Sequence, residues 1–128
     1  MCNILIISDS TSLNKRISKV LEKEHYTINT TTSALKGLDV IESKKPNLII
    51  LEILMPDMSG FELISKITSI EKEAKIIAMT SGGIINVEDY LSAIKSFGAD
   101  MVLKKPFRDG YLLRMVNILL KEQINLES

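Results

Sequence analysis

The chain has 128 residues, 45% of them apolar and 25% charged, a composition that fits one soluble globular domain of ordinary size. Sixteen basic residues balance sixteen acidic ones, which argues against a nucleic-acid or membrane surface, and no apolar run approaches the ~20 residues of a membrane-spanning helix. The single cysteine, Cys2, excludes an internal disulfide and fits a reducing cytoplasm.

In chain order, Ile4–Ile7 is a short run apolar on both faces, the pattern of a central strand in a parallel sheet. It ends on Ser8 and Asp9, and the hydroxyl run from Ser8 to Ser12 reads as helix-capping residues. Asp9 is itself a candidate N-cap. Leu13, Ile17, Val20 and Leu21 form the first helical stripe, with His25 on the surface near its end. Tyr26–Thr31 alternates more and is threonine-rich, as a strand nearer an edge would be. Leu35, Leu38 and Ile41 form a second stripe. Leu48–Leu51 is a buried strand that ends on Glu52. A loop follows, then a helix with Phe61, Ile64 and Ile67 inward, opened by a capping box of Ser59 and Glu62. Ile76–Met79 is a strand ending at Thr80 and Ser81, and Gly82-Gly83 suggests a mobile loop. Val87, Leu91 and Ile94 mark a fourth helix, ended by Gly98. Met101–Leu103 is the last strand, followed by Lys104 and Lys105. Leu112, Val116, Leu119 and Leu120 make the last stripe.

Five strand–helix alternations imply an α/β domain with a parallel sheet and helices on both faces. One domain over residues 1–128 is expected, with its core at about 3–122 and no output domain. Chemistry in such sheets collects at the carboxyl ends of strands. The relevant residues are Ser8, Asp9, Glu52, Thr80, Ser81, Lys104 and Lys105. No nucleophile–base pair, His/Cys metal spacing or P-loop is present, so an independent enzyme is not expected.

Four segments carry a resemblance. They are "MPDMSGFEL" from Met55 directly after the strand-end acid, "GADMVLKKPF" from Gly98, "ILIISD" with an acid at its end, and "IIAMTS" with Thr80 ending a strand. In order and spacing the chain resembles the receiver domains of two-component response regulators over nearly its whole length. The resemblance implies a (βα)5 flavodoxin-like, CheY-like fold with strand order 2-1-3-4-5. It also implies a phosphoacceptor aspartate ending the third strand, Mg²⁺-binding acids ending the first, and a hydroxyl and a lysine that grip phosphoryl oxygens. A cis bond before Pro106 is common in such domains.

The match is partial. Glu52 stands at the phosphoacceptor position, one methylene longer than aspartate, which adds about 1.5 Å of reach. Asp9 matches one of the two first-strand acids, and Ser8 stands where the other is expected. Thr80 and Lys105 match the hydroxyl and the lysine. Val102 replaces the switch aromatic three residues before that lysine. An error of ~1 Å in positioning can cost on the order of a hundredfold in group transfer. Losing one carboxylate interaction at ~4 Å removes roughly 4 kcal/mol at an effective dielectric of about 20, so any Mg²⁺ held by Asp9, Glu52 and the Leu54 carbonyl is expected to bind weakly. Glu52 is also long enough to pair with Lys105.

The expectation is a stand-alone, degenerate receiver that acts through a protein partner, a histidine kinase or a downstream effector, without normal phosphorylation. The alternatives are an inefficient phosphoacceptor in a relay, a ligand-sensing pseudo-receiver and, more distantly, a flavodoxin-like cofactor binder. Lys95, Asp100 and Arg114 resemble charges that pair across the dimer of one receiver subfamily, so a homodimer through that face is a further expectation.

Overall fold

The computed structural model describes residues 2–81 and 87–127. The elements run β1 (Asn3–Ile7), α1 (Thr11–Glu22), β2 (Thr27–Thr31), α2 (Ala34–Lys44), β3 (Leu48–Glu52), α3 (Gly60–Ile70), β4 (Lys75–Ser81), α4 (Val87–Phe97), β5 (Met101–Lys105) and α5 (Asp109–Glu127). The strands form one five-stranded sheet in the order β2-β1-β3-β4-β5, every neighbouring pair parallel. Gly82 and Gly83 lie outside the described residues.

The doubly apolar strands split their side chains between two cores, as a period of two requires. Ile4, Ile6, Leu48, Ile50, Ile77 and Met79 face Ile17 and Leu21 of α1 and Leu112, Val116 and Leu120 of α5. Leu5, Ile7, Ile49, Leu51, Ile76 and Ala78 face Ala34 and Ile41 of α2, Ile64 and Ile67 of α3 and Ile94 of α4. Every residue of β3 is buried, whereas β2, at the sheet edge, is partly exposed. Leu35 departs from the predicted stripe. It is 57% exposed, with Ala34 buried beside it, while Leu38 and Ile41 of the same stripe pack on the core. Gly37 lets the helix sit close to Ile7 and Thr31, where a Cβ would lie 2.6 Å from the Ile7 side chain.

Serine side chains open three helices. Ser10, Ser33 and Ser59 accept from the backbone N–H groups of Leu13, Lys36 and Phe61, each at 3.2 Å. Such caps are each worth about 1 kcal/mol. The N-cap of α1 is therefore Ser10 and not Asp9, which is exposed one residue earlier. After β3 the chain folds back on itself. Leu54 and Ser59 form an isolated antiparallel bridge, and the Gly60 N–H donates to the Ile53 carbonyl at 2.9 Å. A Cβ on Gly60 would lie 2.6 Å from the Ile53 Cα, so the tight return of "MPDMSG" requires glycine there. Gly98 ends α4 at φ 129°, in the left-handed region, with Thr68 packed over it.

Candidate functional site

The register carries the strand-end residues to one edge. Glu52 pairs with Met79 across β3 and β4, and Ser81 with Lys105 across β4 and β5. Glu52 is only 4% exposed. Its Oε1 accepts a hydrogen bond from Lys105 Nζ, making a charge-assisted ion pair that spans the end of the sheet. The lysine side chain keeps 27% of its surface in water, against 5% for the glutamate. Lys105 precedes Pro106 through a cis peptide.

Ser8 is fully buried. Its Oγ accepts from the Ser10 N–H at 3.2 Å, and its own N–H donates to the Thr31 carbonyl at 3.1 Å. The Ser8 hydroxyl therefore closes the turn into α1. Thr80 is buried, with its hydroxyl directed at the Ser81 carbonyl 3.5 Å away, a long contact. Val102 is half-buried and packs against the core on the α2–α4 side. Leu54 projects its side chain into solvent.

Magnesium prefers several hard oxygens in octahedral array. Here Asp9 is exposed, one oxygen of Glu52 is held by Lys105, and Ser8 adds no charge. Among the described residues no group of three or more His, Cys, Asp or Glu side chains could hold a metal. This donor set does not fit a tightly bound divalent ion.

The three residues read as partner-facing charges, Lys95, Asp100 and Arg114, are all exposed. The Asp100 carboxylate also accepts from the Ile76 N–H at 2.8 Å, which ties it to the start of β4.

Two long-range ties had no signal in the sequence. Asp57, in the loop after β3, accepts from the Ala34 and Leu35 N–H groups at 3.2 and 3.1 Å and from the Ser33 hydroxyl at 3.0 Å. It thereby joins that loop to the N-terminus of α2. The Leu35 N–H foremost, then the Ala34 N–H and the Ser33 hydroxyl, hold its carboxyl below the ordinary value. Arg16 of α1 bonds the Phe107 carbonyl at 2.6 Å, lies 4.7 Å from the Phe107 ring centroid and pairs with Asp109 at 2.9 Å. It clamps the turn that follows Lys105. A third residue, Asn14, left a visible trace, a polar side chain in register with Ile17 and Leu21 on the buried stripe of α1.

The response regulator receiver domain family matches residues 4–117. The chain belongs to this family. It is 29% identical over 104 residues to sporulation initiation phosphotransferase F of Bacillus subtilis, covering 81% of this chain and 82% of that protein. It is 25% identical to the cell cycle response regulator CtrA of Brucella ovis, covering 92% of this chain but only 50% of the relative, so the chain spans half the length of that protein. A CheY-like receiver domain protein of Methanospirillum hungatei superposes with a TM-score of 0.88 at 31% identity, covering 98% of each chain. A signal receiver domain from Vibrio parahaemolyticus gives 0.90 at 28%, covering 98% of this chain and 95% of its own. Receiver domains are signalling modules of two-component systems that interact with histidine kinases or effectors, and this chain is one of them. No helix among the described residues is long and apolar enough to cross a membrane.

Proposed function

We propose that this receiver signals by binding a protein partner in the cytoplasm, a histidine kinase or an effector, with its phosphoacceptor pocket closed by its own side chains. The observation that carries this reading is the Glu52–Lys105 ion pair. Lys105 is the ammonium that the family uses on phosphoryl oxygens, and here Glu52 occupies it from inside the pocket. Glutamate is a poor copy of the phosphorylated state, since one charge and two oxygens replace nearly two charges and three oxygens. Val102 offers no ring to swing between buried and exposed positions, so Thr80 has no aromatic to which it can pass a displacement. The pocket therefore holds one arrangement, and partner choice rests on surface rather than on phosphorylation.

A second reading is favoured by the similarity to a protein named as a phosphotransferase. In it, the chain is a slow phosphoacceptor that passes phosphoryl groups along a relay.

A Mg²⁺ titration followed by backbone amide shifts separates the two. The native chain is expected to show no saturable shift at Asp9, Ile53 or Leu54 up to ~10 mM, while the Ser8→Asp/Glu52→Asp variant saturates in the millimolar range. Saturable binding by the native chain at those residues would favour the relay.

A further inference from the structure

We propose that the groove between α1 and the β2–α2 turn is a binding site for a small phosphorylated polyol, of the sugar phosphate class. The groove is open to solvent and has a volume of about 430 Å³, within the range of small-molecule sites. Its lining is chemically one-sided, with five serine or threonine residues, two lysines and one asparagine, and neither an acid nor an apolar side chain. Two hydroxyl-rich segments far apart in sequence meet there. Thr11 comes from the run after β1, and Thr30 and Thr32 come from the end of β2. The capping role that the first run suggests falls to Ser10, so capping does not account for Thr11.

Hydroxyls both donate and accept, as the hydroxyls of a polyol do. Lys15 and Lys36 stand at the groove as exposed ammonium groups, point charges suited to phosphate. The N-terminus of α2 does not supply the anion site, because Asp57 already holds its N–H groups. The lining has no aromatic side chain on which a nucleobase would stack.

Asn14 lines the same groove and is 4% exposed. Its Nδ2 donates to the Ser8 carbonyl at 2.9 Å and, at a longer 3.5 Å, to the Thr31 carbonyl. Its Oδ1 is buried with no hydrogen-bond partner. A buried acceptor left unpaired is costly, and with under 1 Å² of accessible surface it takes a donor from the groove only when the Asn14 side chain turns outward. The same amide touches the carbonyl of Ser8, so occupancy would be felt at the β1–α1 turn. None of this depends on how Glu52 is read, and a phosphorylatable pocket would leave the groove unchanged.

The test is a set of backbone and Asn side-chain amide titrations of the full chain. The probes are ribose 5-phosphate, glucose 6-phosphate and glycerol 3-phosphate, with ribose and inorganic phosphate run separately. At least one phosphorylated polyol is expected to give saturable shifts at Thr11, Asn14 and Thr30–Thr32, with a Kd about tenfold or more below those of phosphate and ribose. Lys15→Ala/Lys36→Ala should weaken that binding about tenfold or more while leaving the melting temperature unchanged, because both lysines are exposed. The proposal is overturned if no phosphorylated polyol gives saturable shifts by ~10 mM. It is also overturned if phosphate alone binds as tightly, or if the double variant binds as the native chain does.

Discussion

Replacing Lys105 should destabilise the fold more than replacing Glu52, although both substitutions delete the same ion pair. The asymmetry comes from burial, with 5% of the glutamate side chain exposed against 27% of the lysine. Lys105→Met leaves a carboxylate enclosed at the end of β3 with no cation. Breaking a fully buried pair in this way costs 3–5 kcal/mol, and water reaching the lysine end lowers the figure here to about 2–3 kcal/mol. Glu52→Leu leaves an ammonium that can turn toward solvent, at about 1 kcal/mol. The double variant leaves no charge behind and should lie within about 1 kcal/mol of the native chain. The double-mutant cycle then gives a coupling of about 2–5 kcal/mol, centred near 3.5. Urea unfolding followed by circular dichroism measures all four proteins, and equal slopes confirm that only stability has changed. If the single variants cost the same and add within about 0.5 kcal/mol, the pair behaves as a solvated surface contact and the reasoning fails.

Asp57→Ala should cost about 1 kcal/mol, as loss of a helix cap does. Its folded carboxyl titrates below the unfolded value of 3.8, so the contribution is complete above that value and is lost as pH falls through the lower folded one. The difference between native and variant stability should therefore be constant near neutrality and shrink below about pH 4. A difference that widens in acid would contradict this. Arg16→Ala should cost about 1–2 kcal/mol, through the Phe107 carbonyl and ring, while Asp109→Ala costs under about 0.5 kcal/mol, because that ion pair is largely exposed. Equal losses in thermal or urea unfolding would show that the ion pair carries the clamp. Gly60→Ala should cost about 3 kcal/mol or more, since its Cβ would meet the Ile53 backbone at 2.6 Å and backbone cannot yield as a side chain can. A variant that melts within a few degrees of the native chain would show that the loop has room.

The fold was legible because the pattern of the strands is unambiguous. Runs such as Leu48–Leu51 are too short for helices and apolar on both faces, and only a sheet covered on both sides buries them. Strand order and the site came from the motifs after Glu52 and before Pro106, where backbone requirements are strict, at Gly60 above all. Leu35 was misplaced because its stripe was read by hydrophobicity, whereas the small residues Ala34 and Gly37 are the ones buried there, Gly37 against Ile7 and Thr31. Asp9 lost the cap to Ser10 because adjacent capping residues differ only in where the turn closes, and Ser8 closes it one residue later. Asp57 and Arg16 were not legible, since each acts on backbone groups many residues away and local pattern does not encode such partners. Asn14 stood out only as one polar residue on a buried stripe, which marks an anomaly without naming its cause.

Intact mass after incubation with Mg²⁺ and a small phosphodonor, on the native chain and on Glu52→Asp, is the most direct test of a pocket closed from within. The native chain should gain no phosphoryl group. Glu52→Asp, too short to hold Lys105 in the same way, should gain one, and more completely when Ser8→Asp restores the second first-strand acid. A phosphoryl adduct on the native chain that maps to Glu52 would contradict the closed pocket and establish this receiver as a working phosphoacceptor.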